Sequence, residues 1–333
     1  MSVNRIISRG IAALVLGLAA VPSPVLASYP DPITCSGYCW AHDPSIVKRS
    51  DGKYFRFNTG SEIGISSADS LTGDWTYLGS AINNGSSIDL DGNTDLWAPQ
   101  VYLVDDTYYL YYAVSTYGSQ DSAIGYATST TLEYDSWTDH GSTGIASTSS
   151  KPYNAIDPAL IEDTDGNYYL TFGSFWDDIY QAPMKSPPKA ASSSSYQIAY
   201  NSSGDHAVEG SFVYYRSPYY YLFFSAGICC NYDTDKPAAG EEYSIRVCRS
   251  ESVTGSYVDK TGASCIGTGG SVVLASHGTV YGPGGQGVLV DSAYDGAVLY
   301  YHYADTSVGL ADADYLLGFN KISWSTGWPV LVS

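Results

Sequence analysis

One short pattern recurs along the chain and limits what it can fold into: an acidic or small residue, Pro or Gly, one more residue, an apolar strand, a turn and an aromatic strand. Asn154-Ala155-Ile156-Asp157-Pro158-Ala159-Leu160 leads through a turn at Asp163 to Asn167 into Tyr168-Tyr169-Leu170-Thr171-Phe172. The other clear copies open at Asp43-Pro44, Ala98-Pro99 and Glu209-Gly210, and a looser fifth opens at Gly282-Pro283-Gly284. Eleven residues beyond Asp43, Ala98, Asp157 and Glu209 stand Tyr54, Tyr109, Tyr168 and Tyr220. Self-similarity at intervals of roughly 50 to 70 residues is the signature of a propeller or a solenoid.

Short Tyr/Val/Ile runs separated by Gly, Asp, Asn and Ser favour sheet throughout. In each repeat the first strand is small and apolar and the second bulky, and later strands end near a Gly-aromatic or Ser-aromatic signal: Gly73-Asp74-Trp75, Ser136-Trp137, Gly255-Ser256-Tyr257 and Gly327-Trp328-Pro329. A radial sheet explains that gradient, because inner strands crowd an axis while outer strands fill a wide gap. The expectation is an all-β, five-bladed β-propeller. A sandwich or β-helix does not account for the repeated opening. The third repeat reads as short of an outer strand, with Ile179 to Met184 standing in, and the Ala190 to Ser195 tract reads as a loop within it.

Residues 1–27 read as a secretory signal peptide: Arg5 and Arg9, an apolar run from Ile11 to Val21, and small residues before a cleavage site at Ala27. Residues 28–333 are then one exported catalytic domain, with no later run near the ~18 apolar residues of a membrane span. The formal charge is −19, and −21 once Arg5 and Arg9 leave. Such a chain repels nucleic acid, anionic membranes and acidic polymers. Six cysteines in an exported chain suggest disulfides. Cys35 with Cys39 and Cys248 with Cys265 are close in sequence, whereas Cys229 and Cys230 either bridge each other or pair elsewhere. Asn84-Gly85-Ser86 and Asn201-Ser202-Ser203 fit the N-glycosylation pattern, as in a glycoprotein.

Three openings carry a carboxylate: Asp43, Asp157 and Glu209. On a propeller they meet at one end of the axis, and mutual repulsion raises at least one pKa. Hydrolysis of an acetal needs one carboxyl to donate a proton and another to activate water. An acid before Pro or Gly is also an ordinary turn former, but Glu209 is a poor one. Most of the 32 Tyr read as blade packing, while Trp97, Tyr117, Phe175 and Trp176 fall in loops near the axial end. His42 and His206, beside Asp43 and near Glu209, are candidates for supporting contacts. No nucleophile elbow, zinc-protease helix motif or phosphate-binding loop is present.

His42-Asp43-Pro44-Ser45-Ile46, Trp97-Ala98-Pro99-Gln100-Val101, Asn154 to Pro158, Val208-Glu209-Gly210-Ser211 and Gly282-Pro283-Gly284 resemble glycoside hydrolase family 43. Tyr117 to Gly125, the Cys229-Cys230 pair and Gly327-Trp328-Pro329 resemble its fungal endo-acting arabinanases, across nearly the whole mature length. The resemblance implies a secreted, monomeric enzyme that cleaves internal α-1,5-L-arabinofuranosidic bonds of arabinan with inversion. It also implies Asp43 as general base, Glu209 as general acid about 6.5–9.5 Å away, and Asp157 as the carboxylate that tunes the acid and holds substrate. Gly118, Asn154, Ala155, Ile156, Ser174, Phe175 and Trp176 would line the sugar subsites. No cofactor is required on that pattern. Bacterial relatives place a histidine, associated with an axial Ca²⁺ or other ion, after Gly-Pro-Gly; here Gly285 and Gln286 follow, which leaves His277 as the alternative ligand. Competing readings are an exo-acting arabinofuranosidase or β-xylosidase of the same fold, and a non-catalytic carbohydrate-binding propeller.

Overall fold

The computed structural model describes residues 29–333, so the signal-peptide reading of residues 1–27 lies outside the described residues. The described strands form five antiparallel four-stranded sheets in chain order. Blade 1 contains β1 (Ser45–Lys48), β2 (Tyr54–Asn58), β3 (Gly64–Ala68) and β4 (Thr76–Ser80). Blade 2 contains β5 (Trp97–Val104), β6 (Thr107–Val114), β7 (Ser122–Ser129) and β8 (Thr138–Ser147). Blade 3 contains β9 (Ala159–Glu162), β10 (Tyr168–Phe172), β11 (Ile179–Pro183) and β12 (Tyr196–Asn201). Blade 4 contains β13 (Val208–Arg216), β14 (Tyr219–Ala226), β15 (Ser244–Ser250) and β16 (Ser271–Leu274). Blade 5 contains β17 (Val280–Asp291), β18 (Gly296–Asp305), β19 (Leu316–Ser323) and β20 (Val330–Val332). The chain is an all-β five-bladed propeller in which each first strand neighbours the first strand of the next blade, β17 returning to β1.

Blade 3 departs from the sequence reading. Ile179–Pro183 is its third strand, and a full outer strand, Tyr196–Asn201, follows the Ala190 to Ser195 loop. Its polar, Ser-flanked sequence hides a strand that is buried on only part of its length.

The aromatic second strands are hydrophobic on both faces because both faces are covered. In β6, Tyr108, Leu110, Tyr112 and Val114 pack toward blade 1 with Phe55 and Phe57, while Tyr109 and Tyr111 pack toward blade 3 with Leu170 and Phe172. In β14, Tyr220, Leu222 and Phe224 face blade 3, and Tyr221 and Phe223 face blade 5. Period-two alternation thus distributes one strand between two inter-blade cores.

The ring closes between blades 5 and 1 without a shared sheet, and the segment from Asp31 to Ala41 stitches the seam. Ile33 N–H donates to Phe319 O (2.9 Å) and Leu317 N–H to Cys39 O (2.8 Å), on the blade 5 side. Trp75 N–H donates to Ser36 O (3.0 Å) and Tyr38 N–H to Trp75 O (2.7 Å), on the blade 1 side. The Cys35–Cys39 disulfide lies within this clasp.

Candidate active site

The backbone at the axial end has five-fold regularity. Asp43, Ala98, Asp157, Gly210 and Gly285 all occupy the left-handed region, with φ of 43°, 44°, 57°, 58° and 58°. In β5, β13 and β17 the pairing skips at this point, as Trp97, Glu209 and Gly284 pair before a bulge and Gln100, Phe212 and Gly287 after it. A bulge bends its strand and re-aims a side chain. These openings surround a small axial cavity lined by Asp43, Asp157, Gly210, Gly285 and their successors.

This register corrects the sequence alignment of the acids. Asp43 and Asp157 are equivalent, but Glu209 stands one residue earlier, at the position of Trp97 and Gly284 in their own blades, and the fifth opening is Gly284-Gly285 rather than Gly282-Pro283. The count of eleven concealed the shift because the β13–β14 hairpin is one residue tighter. Lys48 pairs with Tyr54 eleven residues after Asp43, and Tyr215 pairs with Tyr220 ten residues after Gly210.

Side chains bond each blade opening to the next around the axis. Ser45 Oγ accepts from Val101 N (3.0 Å), and Gln100 Oε1 accepts from Leu160 N (3.2 Å). Asp157 Oδ2 accepts from Gly210 N (2.9 Å), and Gln286 Nε2 donates to Gly210 O (2.6 Å). Asp43 N donates to His302 Nδ1 (3.0 Å), which completes the circuit from blade 5 to blade 1.

The three carboxyls converge and diverge in proton affinity. Burial pushes Asp43 up, but His42, His302 where acid charges it, and the Thr59 hydroxyl (Oγ1 to Oδ2, 2.7 Å) more than offset it, and its pKa lies below the usual 3.8. His302 is neutral, since burial depresses it to about 3, so it meets Asp43 as a hydrogen-bond acceptor rather than as a cation. The Asp43 side chain keeps 27% of its exposure, enough for water to reach it. Asp157 is held well above the carboxylate range by burial and then by repulsion from Glu209 and Asp43. Glu209 is raised by burial, opposed by hydroxyl donors from Ser174 to Oε2 and Tyr243 to Oε1. Tyr243, fully protonated because burial and the nearby carboxylates raise its pKa, remains a donor. Asp157 and Glu209 therefore keep a proton between them at a pH where free carboxyls have lost theirs.

Of the other sequence candidates, Ser174 binds Glu209 directly. Asn154, Ala155 and Ile156 are buried, and the Asn154 amide braces the preceding loop through Ser122 Oγ (2.7 Å) and Ser119 O (3.3 Å). Gly118 is exposed beside Tyr117, Phe175 is half-buried and Trp176 exposed. His42 Nε2 lies 3.9 Å from Asp43 Oδ2, whereas His206 bonds Asn201 O and stacks on Tyr200 instead of meeting Glu209. Thr59, Tyr243 and His302 were not selected from sequence; Tyr243 in particular is one tyrosine among 32.

Cys229 and Cys230 form a vicinal disulfide, with Cys230 Sγ 3.7 Å from His42 Nε2, and Cys248 joins Cys265. His42, Asp43 and His302 are clustered closely enough to suggest a cation site. They fit one poorly: the His302 lone pair facing Asp43 is committed to the Asp43 N–H, and Gly285 has no side chain to offer. His277 is held by Ala275 O and Tyr29.

The sequence profile of the glycosyl hydrolases family 43 matches residues 38–329. Arabinan endo-1,5-alpha-L-arabinosidase A of Aspergillus niger is 61% identical, over 95% of this chain and 99% of that protein. An exo-1,5-alpha-L-arabinanase from a bovine ruminal metagenomic library has the same fold, with a TM-score of 0.78 and 31% identity over 88% of this chain and 97% of that one. The alpha-L-arabinanase of Cellvibrio cellulosa complexed with arabinohexaose superposes with a TM-score of 0.77 at 28% identity, covering 92% of this chain and 96% of the other.

Proposed function

Because the chain belongs to the glycosyl hydrolases family 43, we propose that it hydrolyses internal α-1,5-L-arabinofuranosidic bonds of arabinan, with Asp43 as general base, Glu209 as general acid and Asp157 as the carboxylate that tunes the acid. The observation that carries the reading is the divergence of three converging carboxyls: Asp43 held ionised, Asp157 and Glu209 held toward protonation. Asp43 removes a proton from water as that water attacks the anomeric carbon. Glu209 gives its proton to the departing glycosidic oxygen as the C–O bond breaks. Solvent then removes the proton from Asp43 and returns one to Glu209. A single displacement inverts the anomeric centre.

The Ser174 and Tyr243 hydroxyls support the carboxylate that Glu209 becomes, so they act on charge that develops during the reaction. Gly118, Asn154 to Ile156 and Ser174 to Trp176 form the subsite region, with the exposed Trp176 as a stacking surface and the buried residues shaping its floor. Acid, base and water balance the reaction without a cofactor, and no step passes through a metal. In this reading the protein is a secreted monomer, with residues 1–27 removed on export.

Asp43→Ala and Glu209→Ala should each lower kcat on linear arabinan by roughly 10²–10⁴-fold without loss of fold. Wild-type turnover in both would refute the assignment. Because the fold also serves an exo-acting enzyme, viscosity against reducing-end release decides the mode; rapid chain shortening supports endo cleavage, and monomer alone from the outset excludes it. Proton NMR of the first product formed reports inversion.

A further inference from the structure

The assigned acid and base do not account for the arrangement behind them. His302 is completely buried on β18 and aims Nδ1 at the Asp43 N–H, 3.0 Å away, with the same nitrogen 3.5 Å from Asp43 Oδ1. Its ring lies nearly parallel to Tyr243, at 6.0 Å between centroids and 18° between planes. Tyr243 in turn donates to Glu209 Oε1. The base and the acid are thus gripped by two rings that stack on each other.

The space for this stack comes from two adjacent glycines. A Cβ on Gly284 would lie 2.2 Å from Tyr243 Cδ2, and a Cβ on Gly285 would lie 2.7 Å from both His302 Nδ1 and Asp43 Oδ1. Side chains at either position would evict one ring. Gly285 also has the left-handed φ of 58° that side-chain-bearing residues seldom adopt. The Gly-Pro-Gly-Gly-Gln opening of blade 5 therefore contributes room, which the side chains of β18 and the residue preceding β15 fill.

We propose that His302 is a positioning residue for the reaction: as a neutral acceptor it fixes the Asp43 backbone, and through its stack on Tyr243 it sets the base in register with Glu209. The inference rests on the assignment of Asp43 and Glu209 as base and acid. The backbone of Asp43 is already in a left-handed conformation, so an acceptor at its N–H determines where the carboxylate points. Misplacement of a reacting group by about 1 Å costs on the order of 100-fold in rate. The role requires an acceptor at the Nδ1 position and nothing at Nε2.

Three substitutions in the full-length protein separate this role from simple packing. His302→Asn places an amide oxygen where Nδ1 stands, His302→Gln carries it on to the Nε2 position, and His302→Phe keeps the ring while deleting the acceptor. On linear arabinan, His302→Gln and His302→Phe should lose roughly 10- to 100-fold in kcat with KM within about twofold of wild type. His302→Asn should recover most of that loss, to within about fivefold of wild type. A packing role predicts the reverse order, because Gln and Phe fill more of the volume than Asn. Activity of His302→Gln equal to or above that of His302→Asn would overturn the proposal, as would losses confined to KM or thermal stability. If His302→Phe fails to fold, the Asn and Gln pair carries the comparison. Asp43→Ala, measured alongside, separates the two levels: wild-type turnover there removes the catalytic assignment and the positioning role together. An inactive Asp43→Ala with Gln matching Asn removes the positioning role alone.

Discussion

Of the three carboxyls at the axis, Asp157 is the one whose charge the site tolerates least. Its folded pKa is raised well above 3.8, first by burial and then by Glu209. The folded state therefore holds a proton that the unfolded chain gives up, and stability falls as pH rises from about 4 through the folded pKa. Asp157→Asn keeps an acceptor for the Gly210 N–H but removes the charge. Its melting temperature relative to wild type should rise steadily from pH 4 to pH 8, measured by calorimetry. Without a second carboxyl to share the pair's proton, Glu209 in Asp157→Asn ionises alone, so the basic limb of the kcat/KM profile should move to lower pH with a reduced maximum. Asp43 and Asp157 were legible because each precedes Pro at the start of an apolar strand. Glu209 was found through a count that a shorter hairpin happened to preserve. Thr59, Tyr243 and His302 were not legible, because Thr59 follows a second strand, His302 occupies one and Tyr243 precedes a third, outside the repeated opening, and they meet the acids 16, 259 and 34 residues away in sequence, taking Thr59, His302 and Tyr243 in turn.

At the level of the strand, the repeated opening turns one residue into the left-handed region at the axis, and in β5, β13 and β17 a bulge accompanies that turn. The sequence shows the opening wherever Pro follows; Gly210 and Gly285 meet the same backbone demand through glycine, and their register emerged only from the pairing. The outer strand of blade 3 was missed because Tyr196 to Asn201 lacks the continuous apolar run of a doubly covered strand. The bonds between openings are local enough to test singly. Gln286 is buried, receives a hydrogen bond from Ser225 Oγ at 2.9 Å and donates to Gly210 O at 2.6 Å. Gln286→Leu strips both and leaves Gly210 O without its partner, which should cost about 1–3 kcal/mol in denaturant unfolding. Because Gly210 follows Glu209, turnover should fall as well.

Across the whole molecule, closure of the ring depends on a segment that belongs to no blade. The Asp31 to Ala41 clasp bonds to Phe319 and Leu317 on one side and Trp75 on the other, and the Cys35–Cys39 bridge restrains it. Cys35→Ser with Cys39→Ser should lower stability by about 2 kcal/mol, visible as a lower melting temperature, while kcat at 25 °C stays at the wild-type value. Five repeats were readable as a propeller, but how the last blade meets the first was not, since the clasp resembles none of the repeats. The bond from Asp43 to His302 crosses the same seam over 259 residues of chain. Closing so long a loop costs entropy before the contact can offset it, which slows folding. The base is therefore completed only when the fifth blade closes on the first, and recovery of turnover during refolding should report that closure rather than the formation of any single blade.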